Sequence, residues 1–179
     1  MIVSAVKTGE LAGLVPSRNA AVLRIFDPTD AWKAESAGLA RAGWGANLSL
    51  AFWDMDASAL GVRGRLIARL WGRHRAMFEA LAGRLFEDDI PWRPFIAADA
   101  VDIAAFVDDL AGKDITEVLV VCRNGRGRSS TIGRWISRRL GVAFQGAEGE
   151  RESTFIRETL DRVAGASTLK LEPTLSRAA

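Results

Sequence analysis

The eight residues Cys122-Arg-Asn-Gly-Arg-Gly-Arg-Ser129 join two segments of opposite character. Before them, Glu117-Val-Leu-Val-Val121 is a short apolar, β-branched run, the pattern of a buried strand. After them, Ile132, Trp135, Ile136 and Leu140 recur at the spacing that places side chains on one helical face. The stretch therefore predicts a strand, a tight glycine-bearing loop and a helix starting at Ser129. A strand that passes through a loop into a helix belongs to an α/β chain. With further strands and helices alternating along the sequence, the expected fold is a three-layer α/β/α sandwich around a central, mostly parallel sheet.

Such a loop has a definite chemistry. Backbone N–H groups at a helix start are unpaired and point outward, and the helix dipole favours negative charge there, so an oxyanion docks readily. Gly125 and Gly127 let the backbone curl closely around it. Arg128 is able to reach back with a planar fork that pairs two oxygens at once. Cys122 lies at the loop's base, where N–H dipoles and guanidinium charge favour the thiolate, the nucleophilic form. Ser129 stands ready to give its hydroxyl to that sulfur. The expected anion-binding residues are thus Arg123, Asn124, Gly125, Arg126, Gly127 and Arg128.

A cysteine and an arginine separated by five residues, with the glycine between them and a following serine or threonine, arise by chance in on the order of one chain in a thousand of this length. The pattern resembles the signature loop of the cysteine-based protein tyrosine and dual-specificity phosphatases, H-C-x-x-G-x-x-R-[ST]. More of the chain is similar to compact bacterial and phage members of that superfamily. Ala21-Val-Leu-Arg-Ile-Phe-Asp-Pro28 is similar to an early strand, and Asn47-Leu-Ser-Leu-Ala-Phe-Trp-Asp54 to the strand that ends at the general acid. Asp99 to Leu110 resembles the helix before the signature strand, with Val101, Ile103, Ala104, Phe106 and Val107 as its apolar side. The resemblance covers roughly residues 20 to 140. Two features differ: Val121 stands where the family has histidine, and a stretch from about Ala57 to Arg93 occupies what is often a short connection.

The resemblance implies a phosphomonoester hydrolase that passes through a cysteinyl-phosphate and requires neither metal nor cofactor. Expelling an alkoxide or phenoxide calls for a general acid, which the same carboxylate afterwards turns into a base for water. Asp54 is the expected acid, with Asp56 beside it. Asp88 and Asp89 are rivals because their distance to Cys122 in sequence is nearer the family's spacing. Protein phosphotyrosine or a small polyanionic phosphate is the implied substrate. A loop of the form C-[KR]-x-G-[KR]-G-R is also similar to that of phosphoinositide phosphatases, in which Arg123 and Arg126 would hold additional phosphates; facing water is the commoner fate of such arginines. Arg134, Arg138 and Arg139 are expected to add positive charge near the substrate.

Two further readings belong to other classes. Val121 in place of histidine allows a phosphate-binding pseudophosphatase. C-R-x-G-x-R-S loops are similar to those of rhodanese sulfurtransferases, although these commonly hold four residues between cysteine and arginine and this chain holds five.

The remaining sequence sets limits. The chain has 179 residues, 49% of them hydrophobic and 26% charged, which suits one catalytic domain over residues 1–165 followed by a flexible tail over 166–179. A net charge of +2 gives little reason to expect nucleic-acid binding. With one cysteine, no disulfide forms within the chain, which fits a reducing, cytoplasmic setting. Neither a leader peptide nor an apolar run approaching about 18 residues is evident. Residues 57–93 read as an amphipathic helical insertion with an arginine-rich polar side, a possible lid; its His74, the chain's single histidine, reads as a packed residue rather than a catalyst. Met1 to Val6 predicts a strand, Glu10 to Val15 a short helix or turn, Phe144 to Gly149 a loop, and Ser153 to Val163 a helix.

Overall fold

The computed structural model describes residues 1–27, 43–53, 95–146 and 152–169, with side chains in the last segment described to residue 165. Five strands and four helices occur in it: β1 (Ile2–Lys7), α1 (Thr8–Leu11), β2 (Ala20–Phe26), β3 (Ala46–Ala51), α2 (Ala97–Leu110), β4 (Glu117–Cys122), α3 (Arg128–Leu140), β5 (Ala143–Gln145) and α4 (Thr154–Leu169). The strands form one sheet in the order β3-β2-β4-β1-β5, and every pairing is parallel. The fold class is therefore α/β.

The strand sequences account for their places in the sheet. β2 and β4 are central, and nearly every side chain on them is buried, as expected where both faces are covered. β3 lies at an edge, where Ala46 and Leu50 point into the core and Asn47 and Ser49 are exposed. Val3, Leu23, Ile25, Val118, Val120 and Cys122 share one face of the sheet and pack with Ile103, Val107 and Leu110 of α2, Ile132 and Ile136 of α3, and Ile156 and Leu160 of α4. On the other face Val22, Leu119 and Val121 meet Val6, Leu11 and Trp44.

Several helix and strand expectations need amendment. Val101 is about half exposed, while Ala100 and Leu110 complete the buried side of α2. β5 occupies part of the segment read as a loop. Its Phe144 covers the site where a Cβ on Gly133 would sit, and Arg134 stacks on that ring at 4.9 Å. Three residues are too few for a period to register; pairing with β1 and the seat on α3 make the strand. The last helix continues to Leu169, past the point where a tail was expected. The short helix near the N-terminus begins at Thr8 and has ended before Pro16 is reached.

All five strands run the same way, so the carboxyl ends of β1, β2, β3 and β4 gather along one edge. Lys7 and Ile25 both stand level with Cys122. In open parallel sheets this edge is where ligands bind. Among the described residues no helix is long and apolar enough to cross a membrane.

Candidate active site

The loop leaves the end of β4 and turns at once. Gly125 N–H donates to the Cys122 carbonyl at 3.3 Å, and Gly125 adopts φ 65°. A Cβ there would come within 3.0 Å of the Lys7 nitrogen and 3.2 Å of the Val6 carbonyl carbon, so this position is closed to other residues by both conformation and space. Gly127, with φ 47° and ψ −93°, makes the second reversal and leads into α3. Thr131 locks that start: its N–H and its hydroxyl both donate to the Gly127 carbonyl, at 2.8 and 2.7 Å. The same hydroxyl oxygen accepts from Ser153 N–H at 2.8 Å, tying the helix start to the entry of α4.

Cys122 and Ser129 come together at the loop's base, both buried. Cys122 Sγ lies 3.1 Å from Ser129 Oγ and 3.2 Å from the Arg126 carbonyl oxygen, either of which accepts its S–H. Ser129 Oγ–H in turn points to the Arg126 carbonyl at 3.4 Å. In a trans peptide the C=O and N–H point opposite ways, so the Arg126–Gly127 unit turns its carbonyl toward sulfur and its N–H away. The expected ring of inward N–H groups is thus met only in part. The N–H groups of residues 126 to 129 find no hydrogen-bond partner among the described residues.

Arg128 is buried, and its guanidinium is held by the scaffold. Nη1 donates to the Phe52 carbonyl at 2.7 Å and, less closely, to that of Phe26 at 3.4 Å. Nη2 pairs with Asp27 Oδ1 at 2.7 Å. Nε is buried and has no hydrogen-bond partner among the described residues. A buried donor without a partner costs roughly 1–3 kcal/mol, which is recovered when an acceptor arrives. Asp27, one residue past β2, also places Oδ2 3.5 Å from Arg123 Nη1. One carboxylate thus meets arginines from both ends of the loop.

The other expected residues divide. Arg123, Asn124 and Arg126 are exposed, Gly127 is half-buried and Gly125 is buried. Asp54, Asp56, Asp88, Asp89, His74 and the 57–93 insertion lie outside the described residues. Arg134 and Arg138 face Glu152 at 3.6 and 3.8 Å, and Arg139 pairs with Asp108 at 2.7 Å, so the charge of these three arginines is spent on ion pairs rather than gathered for a substrate.

The sequence did not single out Asp27 as a site residue. An Asp-Pro step directly after a strand buried on both faces was its available signal. Arg24 is another buried charge, on the sheet face opposite Cys122, where burial lowers its pKa from the ordinary arginine value. Among the described residues no three His, Cys, Asp or Glu side chains gather as a metal site. Comparison with models of protein families, with curated proteins and with solved structures found no match to this chain.

Proposed function

We propose that this chain is a cysteine-dependent phosphomonoester hydrolase of the protein tyrosine and dual-specificity phosphatase kind, with the three-layer sandwich of that superfamily. The observation that carries the reading is a buried Cys122 at one end of the loop and, at the other, a pre-oriented Arg128 whose Nε has no partner among the described residues. Phosphate oxygens would take Nε–H and the loop N–H groups. Cys122 Sγ forms the S–P bond as the ester P–O bond breaks, and the leaving oxygen takes a proton from the general acid. Water, giving a proton to the carboxylate that the acid has become, then attacks phosphorus as the S–P bond breaks, releasing inorganic phosphate and restoring the thiolate, with Ser129 O–H donating to the departing sulfur. No metal is needed in these steps.

Asp54 remains our choice of general acid. Phe52, two residues before it in sequence, gives its carbonyl to Arg128. A substrate with a single phosphate is favoured over a polyphosphorylated ring. Arg123 lies within ion-pair distance of Asp27 and Lys7 within that of Glu10, which leaves Arg126 as the exposed loop arginine without an ion-pair partner among the described residues.

The Arg126 carbonyl beside Cys122 favours a second reading, a phosphate-binding pseudoenzyme, since it engages the sulfur that would otherwise serve as nucleophile. Hydrolysis of p-nitrophenyl phosphate in EDTA, with vanadate as inhibitor and Cys122→Ser in parallel, separates the two. Vanadate-sensitive turnover lost in the variant supports the hydrolase. Vanadate binding without turnover supports the pseudoenzyme. Thiocyanate formation from thiosulfate and cyanide would move the chain to the sulfurtransferases.

A further inference from the structure

Resting on that reading, we infer that Asp27 is the positioning residue of the site: its carboxylate staples the two ends of the loop and presents Arg128 Nε to the bound phosphate. Asp27 is itself buried, with its side chain 7% exposed. Oδ1 takes Arg128 Nη2, and Oδ2 faces Arg123 Nη1, from the residue directly after the nucleophile. Both oxygens accept from guanidinium groups, so Asp27 serves as an anchor and not as the proton donor to the leaving group. Register supports the placement, because Ile25 of β2 stands level with Cys122, which sets Asp27 beside the first turn of the loop.

Electrostatics poses a problem that the arrangement solves. A carboxylate next to an anion site repels the substrate, and a buried charge is costly unless it is paired. Two arginines around one aspartate leave the trio at net +1. Arg123 therefore offsets Asp27, and the charge of Arg128 stays available to the substrate. What Asp27 adds is orientation. An arginine side chain has several rotatable bonds, and misplacement of a binding group by about 1 Å costs on the order of 100-fold in rate.

Charge and geometry make opposite forecasts for Asp27→Asn. Removing a negative charge beside an anion site should tighten anion binding; losing the anchor should weaken it. The experiment is vanadate binding by calorimetry and kinetics with p-nitrophenyl phosphate and phenyl phosphate on the full chain, for wild type, Asp27→Asn, Asp27→Glu, Arg128→Ala and the double variant Asp27→Asn/Arg128→Ala. We expect weaker vanadate binding and a kcat/KM lower by about 100-fold in Asp27→Asn. Asp27→Glu should fall between it and wild type, and the double variant should be no worse than Arg128→Ala alone.

Unchanged or tighter binding in a folded Asp27→Asn overturns the inference while the proposed function stands. Additive losses in the double variant also overturn it, because two residues acting through one contact are not independent. If Asp27→Asn does not fold, Asp27→Glu decides: wild-type binding and kinetics in that variant refute an anchor set by distance. A loss confined to poor leaving groups would make Asp27 the acid and refute its role as anchor. Should wild type neither bind vanadate nor hydrolyse the ester, the proposed function fails, and the inference fails with it.

Discussion

Cys122 Sγ and Ser129 Oγ lie 3.1 Å apart across a loop that separates them by seven residues. The hydroxyl has one hydrogen, and its other acceptor in reach is the Arg126 carbonyl. In the proposed reaction that hydrogen can turn to sulfur as it leaves phosphorus, which would place the effect of Ser129 mainly on the second chemical step. We expect Ser129→Ala to slow breakdown of the cysteinyl-phosphate by about ten- to hundredfold, the range of a hydrogen bond to a charged group. Rapid-quench kinetics should then show a burst of p-nitrophenolate followed by a slow steady state. A uniform slowing with no burst would count against this assignment.

The general acid is tested through the leaving group. Asp54→Asn should lower kcat/KM for phenyl phosphate far more than for p-nitrophenyl phosphate, whose leaving phenolate scarcely needs a proton. It should also flatten the alkaline side of the pH–rate profile. If Asp56→Asn, Asp88→Asn or Asp89→Asn gives that selective loss instead, the role passes to that residue.

The loop carbonyl of Arg126 facing sulfur has a testable consequence at Gly127. For an anion to be ringed by N–H groups, the Arg126–Gly127 peptide must rotate, and a glycine at φ 47° and ψ −93° is the residue that permits both orientations. Gly127→Ala should destabilise the resting loop by about 1–3 kcal/mol. Urea denaturation with and without vanadate reads the effect. The variant should lose stability in the absence of the anion and recover part of it when vanadate is bound. Equal losses in both conditions would mean that the peptide does not turn.

Thr131 predicts a purely structural loss. Its hydroxyl donates to the Gly127 carbonyl and accepts from Ser153 N–H, so Thr131→Val keeps the shape and strands a buried N–H. We expect a cost of about 1–3 kcal/mol in chemical denaturation. Turnover per folded molecule should fall less than in Ser129→Ala, because the Thr131 hydroxyl bonds to Gly127 and Ser153 rather than to sulfur.

The legible parts of this molecule were those written in contiguous sequence. β4, its loop and α3 follow one another directly, and the apolar run from Glu117 and the helical face from Ile132 to Leu140 each carry their own period. Asp27 was not legible as a site residue because its partner Arg123 is 96 positions away and only the parallel sheet brings the two together. Phe52 contributes a carbonyl, which no side-chain pattern can reveal. β5 is too short to show a strand period, and its existence depends on an edge of β1 and a glycine on α3. The turned peptide at Gly127 is a conformational fact that glycine allows but does not dictate.

The Phe26 carbonyl accepts from two directions, Phe52 N–H at 3.1 Å and Arg128 Nη1 at 3.4 Å, while Phe52 returns its own carbonyl to the same guanidinium. β3 joins the sheet through β2 alone, so this knot is also where an edge strand is fastened at its far end. Immobilising the guanidinium therefore restrains the fraying of an outer strand. If the loop binds an anion as proposed, amide exchange at Phe52 becomes a remote gauge of occupancy, slowing when vanadate is added even though that N–H lies just past the edge strand.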